Sequence, residues 1–304
     1  MIKNCRSCRS RNIIDIVSLG TQYLADWRLD DIKPDQYPLD LILCTNCSLL
    51  QLKNTVPPEK LYNENYGYKS GVNNTIKADL KEIVEKAIRK VELKEGDTVT
   101  DLGCNDGTLL LNYPLNVVRV GFDPISKFAV DNRPHRIIFV NDFFNYEAWE
   151  KIGEGKKAKI ITAISMFYDL DNPNKFVSDL VKVLDDNGII IIQQNYLVGM
   201  LQQNAFDNIV HEHLEYYSLK SLEHLLNRHG LEVFDVETSD INGGSFRTYI
   251  RHMDRVKKMR LMEEKLRLGN KWTYMLFALK ISAIRNKARK FINEQVEQGK
   301  KIYL

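Results

Sequence analysis

Four cysteines near the start of this 304-residue chain form two Cys-x-x-Cys pairs, Cys5 with Cys8 and Cys44 with Cys47. Thiolates at this spacing are the ligand set of a tetrahedral zinc site, and four of them leave no open position for a reacting water. Residues 1–55 are too few to bury a stabilising apolar core alone, so a bound metal would supply the missing free energy. We predict a structural zinc ion in a small β-rich module; disulfides and unligated buried thiols are the alternatives.

Carboxylates follow three predicted strands that succeed one another along the chain. Asp101 ends the first, in the sequence Asp-Leu-Gly-Cys-Asn-Asp-Gly-Thr, where glycines permit a sharp turn and a helix N-terminus offers free N–H groups. Asp123 follows the second strand, at the place where an acidic side chain holds the two hydroxyls of a ribose. Asp142 and Phe143 follow the third, where they suit the amino group and the face of an adenine. The predicted cofactor residues are Asp101, Gly103, Asn105, Asp106, Gly107, Asp123, Asp142 and Phe143.

The charge of the first of these loops indicates which nucleotide it suits. Asp101 and Asp106 place negative charge where a dinucleotide would place its pyrophosphate, and the loop lacks the Gly-x-Gly-x-x-Gly pattern of dinucleotide sites. An acidic loop favours the amine and the sulfonium of S-adenosylmethionine (SAM), which we predict as the cofactor.

An alternation of strand and helix patterns positions these loops. Strands are predicted at 97–103, 117–122, 136–140, 159–164 and 188–194, and then at 231–238 and 245–251. Helical patterns between several of them imply crossover connections and a parallel sheet covered on both faces. We therefore expect an α/β, doubly wound, Rossmann-like sheet that binds ligands at the carboxyl ends of its strands, with a small zinc-binding β module before it and helices after it.

Composition and charge narrow the class of protein. With 44% apolar and 27% charged residues the chain has the composition of a globular protein, and it shows neither an apolar run long enough to cross a membrane nor a signal-peptide core. Residues 257–301 hold thirteen Lys and Arg against four Glu, which leaves a net charge of about −6 on the remainder. We expect a cytoplasmic protein without a transmembrane segment, and the acidic body argues against a nucleic-acid substrate.

These features resemble the class I SAM-dependent methyltransferases, and more narrowly the sugar C-methyltransferases that act on nucleotide-linked keto sugars. The most specific part of the resemblance is residues 194–219, which contain the triplet His211-Glu212-His213, together with residues 242–247, Asn-Gly-Gly-Ser-Phe-Arg. Members of that family have an N-terminal zinc module, a methyltransferase domain and a C-terminal domain. The implied division is a zinc module at 1–55, a lid and covering helix at 56–95, a methyltransferase domain with a substrate-binding insertion at 96–250, and a basic helical tail at 251–304 that leads to a missing C-terminal domain.

The resemblance also implies roles for the triplet. His213 is expected to be the base that removes a proton from the acceptor, because imidazole is suited to this task near neutral pH. Glu212 is expected to orient His213 or to act as a second acid or base. His211 is the third catalytic candidate.

Two tyrosines in the loop before the covering helix are further catalytic candidates. Tyr66 and Tyr68 flank Gly67, a pattern that suits ligand contact as well as packing. Because Val210 stands where relatives often carry a tyrosine near the reacting sugar, one of these two phenols would take over that place. The residues expected to contact the substrate are Asn195, Tyr196, Asn204, Gly244 and Arg247.

The predicted function is SAM-dependent methylation of a nucleotide-linked sugar, on the carbon α to a ketone, in deoxysugar or surface-polysaccharide biosynthesis. This chemistry requires a base for the α proton and a donor for the developing enolate. The alternatives are O-methylation of a sugar or related small molecule, RNA methylation and a non-catalytic SAM-binding module. The basic tail leaves three roles open: docking on an acidic face as a linker, contact in a homodimer, and binding at a membrane surface.

Overall fold

A computed structural model describes residues 1–25, 33–63, 65–128, 137–153 and 155–299 of the chain. Residues 1–252 and 253–304 form two compact units, and each is described by itself. Of the helices in the described segments, none combines the length and the apolar character that a membrane span requires.

The first unit contains strands of two sheets and the helices that cover them. The strands are β1 (Ile13–Tyr23), β2 (Gln36–Cys44), β3 (Leu50–Leu52), β4 (Thr98–Leu102), β5 (Val118–Phe122), β6 (Ile138–Val140), β7 (Ala158–Ile164), β8 (Leu184–Asn195), β9 (Glu215–Tyr216), β10 (Leu231–Ser239) and β11 (Ser245–His252). The helices are α1 (Pro58–Leu61), α2 (Asn74–Lys90), α3 (Tyr146–Gly153), α4 (Pro173–Val183), α5 (Leu197–Gln203) and α6 (Leu219–Asn227).

A seven-stranded mixed sheet forms the centre of this unit, in the order β10–β11–β8–β7–β4–β5–β6. Strands β8, β7, β4, β5 and β6 run parallel to one another. Strand β11 runs antiparallel to β8, and β10 antiparallel to β11. The carboxyl ends of the five parallel strands therefore meet along one edge of the sheet.

Helices cover both faces of the sheet, which explains its long apolar runs. On one face, α2 buries Ile83 and Val84 in the same cluster as Ile191 of β8. On the other face, α4 buries Leu180 in the same cluster as Ile190 of β8. Neighbouring residues of one strand point to opposite faces, and both directions here meet a helix. The prediction of a doubly wound, Rossmann-like α/β sheet is confirmed.

A second, four-stranded antiparallel sheet has the order β1–β2–β3–β9. Its first three strands lie within residues 1–55, as predicted for a β-rich module. The fourth strand, β9, comes from a distant part of the chain and pairs with β3 through Leu50 opposite Tyr216 and Gln51 opposite Glu215. The sequence did not predict this strand, and it joins the cysteine module to the segment that follows the His-Glu-His triplet.

The second unit consists of two described helices, α7 (Arg255–Leu266) and α8 (Lys271–Glu297). Each begins after a side-chain cap: Asp254 accepts from the backbone N–H of Lys257, and Asn270 accepts from that of Trp272. No residue of either helix is buried. Residues 300–304 of the predicted tail lie outside the described residues.

Candidate active site

A cavity of about 290 Å³ lies at the carboxyl ends of β4, β5 and β7. This edge is where doubly wound sheets bind their ligands. Its walls come from the loop after β4, the end of β5, the segment after β6, the turn after β7 and the lid segment 62–70. Six of the eight predicted cofactor residues line it, namely Asp101, Gly103, Asn105, Asp123, Asp142 and Phe143, whereas Asp106 and Gly107 do not.

The cavity is acidic. Burial raises the pKa of Asp101 to about 7, although Thr162 Oγ1 donates a hydrogen bond to its carboxyl over 2.6 Å. Burial also raises the pKa of Asp123 to about 6, although the backbone N–H groups of Asn105 and Ile125 both donate to it over 2.9 Å. The described residues that line the cavity include no Lys, Arg or His. A ligand with a positive charge fits this donor set, and a pyrophosphate does not.

The backbone at Gly103 passes close to the turn after β7. Its φ is +70°, and an added Cβ would lie 3.1 Å from Met166 Cγ. Glycine is therefore required here both for the left-handed backbone and for the close approach of the two loops.

The polar side chains of the loop after β4 hold the lid. Asn105 Oδ1 accepts from the backbone N–H of Ser70 over 3.0 Å, and Asn105 Nδ2 donates to the carbonyl of Tyr68 over 3.0 Å. Asp106 Oδ2 accepts from the N–H of Gly71 over 2.8 Å. Asp106, which we predicted to contact the cofactor, lies outside the cavity because its carboxylate anchors the lid.

An aromatic wall connects the lid to the predicted adenine site. The ring of Tyr62 lies 5.7 Å from that of Tyr66 and 6.4 Å from that of Phe143, measured between centroids. Tyr66 and Tyr68 also line the cavity. Burial raises the pKa of both phenols, which therefore keep their protons and remain hydrogen-bond donors near neutral pH.

The His-Glu-His triplet lies beside the four-stranded sheet, and none of its residues lines the 290 Å³ cavity. His213 lines a separate cavity of about 10 Å³ with Tyr168, whose ring centroid is 4.3 Å from that of the imidazole. Its Nδ1–H donates to the carbonyl of Asn208 over 2.9 Å, which leaves the lone pair on Nε2. Burial lowers the pKa of His213 to about 4, so the ring is neutral at neutral pH.

The other two members of the triplet have different surroundings. His211 is buried, and its Nε2–H donates to the carbonyl of Tyr37 over 3.0 Å, which ties the triplet to β2. Burial raises the pKa of Glu212, whose charge is felt by Tyr62, Tyr66 and Asp169 at the cavity wall. The expected orienting contact from Glu212 to His213 is not the one observed, because the Asn208 carbonyl takes that place.

Four of the five predicted substrate contacts lie near the end of β8. Asn195 and Tyr196 line the small cavity with His213. Asn195 Nδ2 donates to Asn208 Oδ1 over 2.5 Å, and the N–H of Tyr196 donates to the carbonyl of Gly244 over 3.1 Å. Asn204 ends α5 in the left-handed conformation. Neither Asn204 nor Gly244 lines either cavity.

Arg247, the fifth predicted contact, is buried in a polar network. Its guanidinium donates to Asp79 Oδ1 over 2.9 Å and to Gln193 Oε1 over 2.7 Å, and it also pairs with Glu237 at 3.4 Å and Glu82 at 3.5 Å. The N–H groups of Arg247 are therefore directed to carboxylates and an amide inside the fold, and its contact with the substrate stays a prediction.

Two residues at the cavity wall were not predicted from the sequence. Asp169, in the turn after β7, and Tyr62, in the lid, both line the cavity, and Tyr62 Oη donates to Asp169 Oδ2 over 2.9 Å. The signal that was available is the position of Asp169 a few residues beyond the end of the fourth predicted strand, since strand ends carry the ligand contacts in this fold.

The four cysteines of the two pairs lie together. Their Sγ atoms are all within 4.8 Å of one another, with 3.6 Å between Cys5 and Cys47 and 3.5 Å between Cys8 and Cys44. A tetrahedron with Zn–S bonds of about 2.3 Å has S–S edges of roughly 3.8 Å, so the arrangement fits zinc. Gln51 Nε2 donates to Cys5 Sγ over 3.3 Å, the kind of contact that supports a metal-bound thiolate.

Three family models match the chain. A methyltransferase domain matches residues 72–236, a zinc binding domain matches residues 5–62, and a C-methyltransferase C-terminal domain matches residues 240–304. The last match corrects the expectation that the C-terminal domain is missing, because residues 240–304 correspond to that domain.

Individual proteins are also similar to this chain. The chain is 29% identical to the C-methyltransferase NovU of Streptomyces niveus over 314 residues, which cover 99% of this chain and 74% of that protein. It is 26% identical over 147 residues to the sphingolipid C9-methyltransferase of Komagataella phaffii, covering 41% of this chain and 30% of that protein. Among solved structures, the cyclopropane synthase MmaA2 from Mycobacterium tuberculosis matches with a TM-score of 0.46 and 11% identity, covering 62% of this chain and 91% of that one.

Proposed function

Because this chain belongs to the methyltransferase-domain family, we propose that it methylates a nucleotide-linked sugar on the carbon α to a ketone. That the chain is a SAM-dependent methyltransferase with structural zinc follows from its domains and its cysteine cluster. Its kinship to C-methyltransferases supports a carbon acceptor. What we propose is that the acceptor is a nucleotide-linked sugar and that the methylated carbon is α to its ketone.

The residues of the 290 Å³ cavity would hold SAM. Asp123 suits the ribose hydroxyls, Asp142 and Phe143 suit the adenine, and Asp101 with the loop after β4 suits the amino-acid part of the molecule. When bound there, SAM supplies an electrophilic methyl group on a sulfonium, with S-adenosylhomocysteine as the leaving group. The acidic lining stabilises that positive charge before transfer.

His213 would supply the base. The α C–H bond of the acceptor breaks, its proton goes to Nε2 of His213, and its electron pair remains on the acceptor as an enolate. The enolate carbon is then the nucleophile for the methyl group, and His213 returns the proton to solvent after transfer. At neutral pH the imidazole of His213 is neutral, which is the form that can accept a proton.

One observation carries the proposal: the acidic cavity, whose described lining includes no cationic side chain, is lined by Asp169, and the residue before it, Tyr168, packs its ring against the imidazole of His213. An O-methyltransferase would also need a base, but it would not exchange a C–H proton. Hydrogen exchange therefore separates the two functions.

The first test is incubation of the protein with labelled SAM and a panel of nucleotide-linked 4-keto sugars. We expect transfer of label to at least one sugar, and washing of solvent deuterium into the carbon α to its ketone. Binding of SAM without transfer to any sugar of the panel would reject the substrate class. Transfer without deuterium exchange would replace C-methylation by O-methylation.

Replacement of His213 tests the base. His213→Ala should reduce α-deuterium exchange and methyl transfer together by about 10²–10⁴-fold, because general-base catalysis contributes that much, while SAM binding is retained. On the acid side, wild-type activity should fall as the pH drops toward the pKa of about 4, where the ring of His213 becomes protonated. His224→Ala, on α6, is the matched control and should leave the rate unchanged. Undiminished turnover of His213→Ala would remove His213 from the mechanism.

A further inference from the structure

Asp169 lies at the cavity wall, and among the described residues only one of its two carboxyl oxygens has a hydrogen-bond partner. It ends the short 3-10 turn Phe167–Asp169 that follows β7, and it lines the 290 Å³ cavity. Its Oδ2 accepts the hydrogen bond of Tyr62 Oη over 2.9 Å. Its Oδ1 is buried and has no partner in the described part of the chain. A buried carboxyl oxygen without a partner is costly, so it marks a place where a ligand completes the site.

The surroundings of Asp169 favour its protonated form. Burial raises the pKa of its carboxyl well above the ordinary value, and the negative charges of Glu212 and Glu215 also raise it, whereas the hydrogen bond from Tyr62 lowers it. The phenols of Tyr62, Tyr66 and Tyr168 lie near it, from the lid and from its own turn, and each has a pKa raised by burial. The next acidic residue along the chain, Asp171, is ion-paired with Arg6 at 3.2 Å.

The direction of the Tyr62 contact places the carboxyl proton. Because Tyr62 Oη donates to Oδ2, that oxygen is the acceptor of the pair. The proton of a neutral Asp169 therefore lies on Oδ1, the oxygen that has no partner. A proton on Oδ1 makes Asp169 a hydrogen-bond donor that lacks an acceptor until a ligand arrives.

Tyr168 connects the base to this acid. Tyr168 precedes Asp169 in the same turn, and its ring centroid is 4.3 Å from that of His213. Glu212, the neighbour of His213, acts electrostatically on Asp169. In the acceptor the α proton and the ketone oxygen are carried by adjacent carbons. The base and the hydrogen-bond donor that act on them must therefore lie close together.

We propose that Asp169 is a catalytic residue, a neutral carboxylic acid that donates a hydrogen bond from Oδ1 to the ketone oxygen of the acceptor. This role rests on the proposed C-methylation. As His213 removes the α proton, negative charge develops on the ketone oxygen, and the Asp169 hydrogen bond strengthens. Asp169 keeps its proton throughout, so it changes no atom balance: the α proton goes to His213, and the enolate electron pair forms the new C–C bond. Tyr62 is a positioning residue that fixes which oxygen of Asp169 faces the acceptor.

The test compares Asp169→Ala and Asp169→Asn by α-deuterium exchange measured without SAM and by methyl transfer with it. Asp169→Ala should lower both rates by about 10²–10³-fold, the usual effect of removing one oxyanion donor. Asp169→Asn should lose less, because its amide N–H₂ still donates. Asp186→Ala, an exposed carboxylate paired with Lys157, is the control and should keep the wild-type rate.

The pH profile supplies a readout that a packing role would not change. Because the folded-state pKa of Asp169 is raised, its donor form is present below that pKa and is lost as the pH rises through it. Wild-type exchange should therefore fall on the alkaline side, and Asp169→Asn should lose this fall. Wild-type exchange rates in Asp169→Ala, or an unchanged alkaline limb in Asp169→Asn, would overturn the proposal.

Infrared difference spectra separate this inference from the proposed function. The difference spectrum between the wild-type protein and Asp169→Asn at neutral pH should contain one stretching band of a protonated carboxyl, whatever the substrate. A missing band overturns the role of Asp169 alone, even if Asp169→Ala fails to fold. Failure of the wild-type protein to exchange or methylate any keto sugar overturns the proposed function and this role with it.

Discussion

The carboxyl groups of Asp101 and Asp123 end neighbouring parallel strands, and burial raises their pKa values to about 7 and about 6. Both values lie above the ordinary value of 3.8. Between pH 3.8 and about 7 the folded protein therefore binds more protons than the unfolded chain. The free energy of unfolding without ligand therefore falls as the pH rises through this range. A positively charged ligand reverses the penalty because it favours the ionised carboxylates.

Proton release on cofactor binding follows from these two residues. At a pH between about 6 and about 7, the pKa values of Asp123 and Asp101, binding of SAM should release protons. The affinity for SAM should increase as the pH rises, because the sulfonium stabilises the ionised carboxylates. Calorimetry in two buffers with different ionisation enthalpies measures the release. Asp123→Asn should release fewer protons than the wild-type protein. Binding without proton release would contradict the assigned surroundings of both carboxyls.

At the scale of elements, the lid and the loop after β4 form one hydrogen-bonded unit. The backbone of residues 68–71 is held by the side chains of Asn105 and Asp106, and Asn73 then caps α2 by accepting from two backbone N–H groups. The loop therefore contributes to the site through its backbone, while two of its polar side chains position the tyrosines. From its sequence alone this loop is predicted to bind the cofactor, whereas the structure shows that it also holds the lid.

Gly71 lies where the lid and the loop after β4 approach each other closely. A Cβ at this position would lie 2.7 Å from both Asp106 Oδ2 and Thr108 Oγ1. Gly71→Ala should break the bond from its N–H to Asp106 and weaken SAM binding by roughly tenfold, or about 1–1.5 kcal/mol. Titration calorimetry measures the change, and Gly269→Ala, which meets no atom within 4 Å, is the matched control. Equal affinity of Gly71→Ala and wild type would show that the lid does not contribute to cofactor binding.

At the scale of the first unit, one sheet joins the cysteine module to the segment that follows the His-Glu-His triplet. Strand β9 follows the triplet and pairs with β3, and His211 donates to the backbone of β2. The folding energy of zinc binding is therefore also energy that holds the triplet in place.

Zinc removal should consequently lower both stability and turnover. Treatment with a chelator, or Cys44→Ser, should reduce the thermal unfolding midpoint and methyl transfer, because the β2–β3–β9 arrangement loses its support. Metal content, unfolding temperature and turnover are the three measurements. Cys104→Ala, at a cysteine outside the cluster, should keep the wild-type metal content. Full turnover of a folded zinc-free protein would separate the triplet from the module.

Much of the fold and part of the site could be predicted from the sequence. The strands after residue 96, the four cysteines and the carboxylates at strand ends are set by local patterns: alternation of apolar residues, Cys-x-x-Cys spacing, and the rule that ligands gather at carboxyl ends. These features need only the order of residues along the chain, because each depends on neighbours a few positions away.

Three features required the tertiary structure. Strand β9 has only two residues and takes its partner from β3, more than 150 positions earlier in the chain. Tyr62 reaches Asp169 across 107 positions, and Arg247 reaches Asp79 across 168. By itself the sequence predicted the fold class, four cysteines that could hold one metal ion and an acidic edge of the sheet, since these follow from local chemistry and chain order. Only packing decided that Arg247 is enclosed by carboxylates and that Asp169 is left with an open oxygen, because burial and partner are properties of the folded chain.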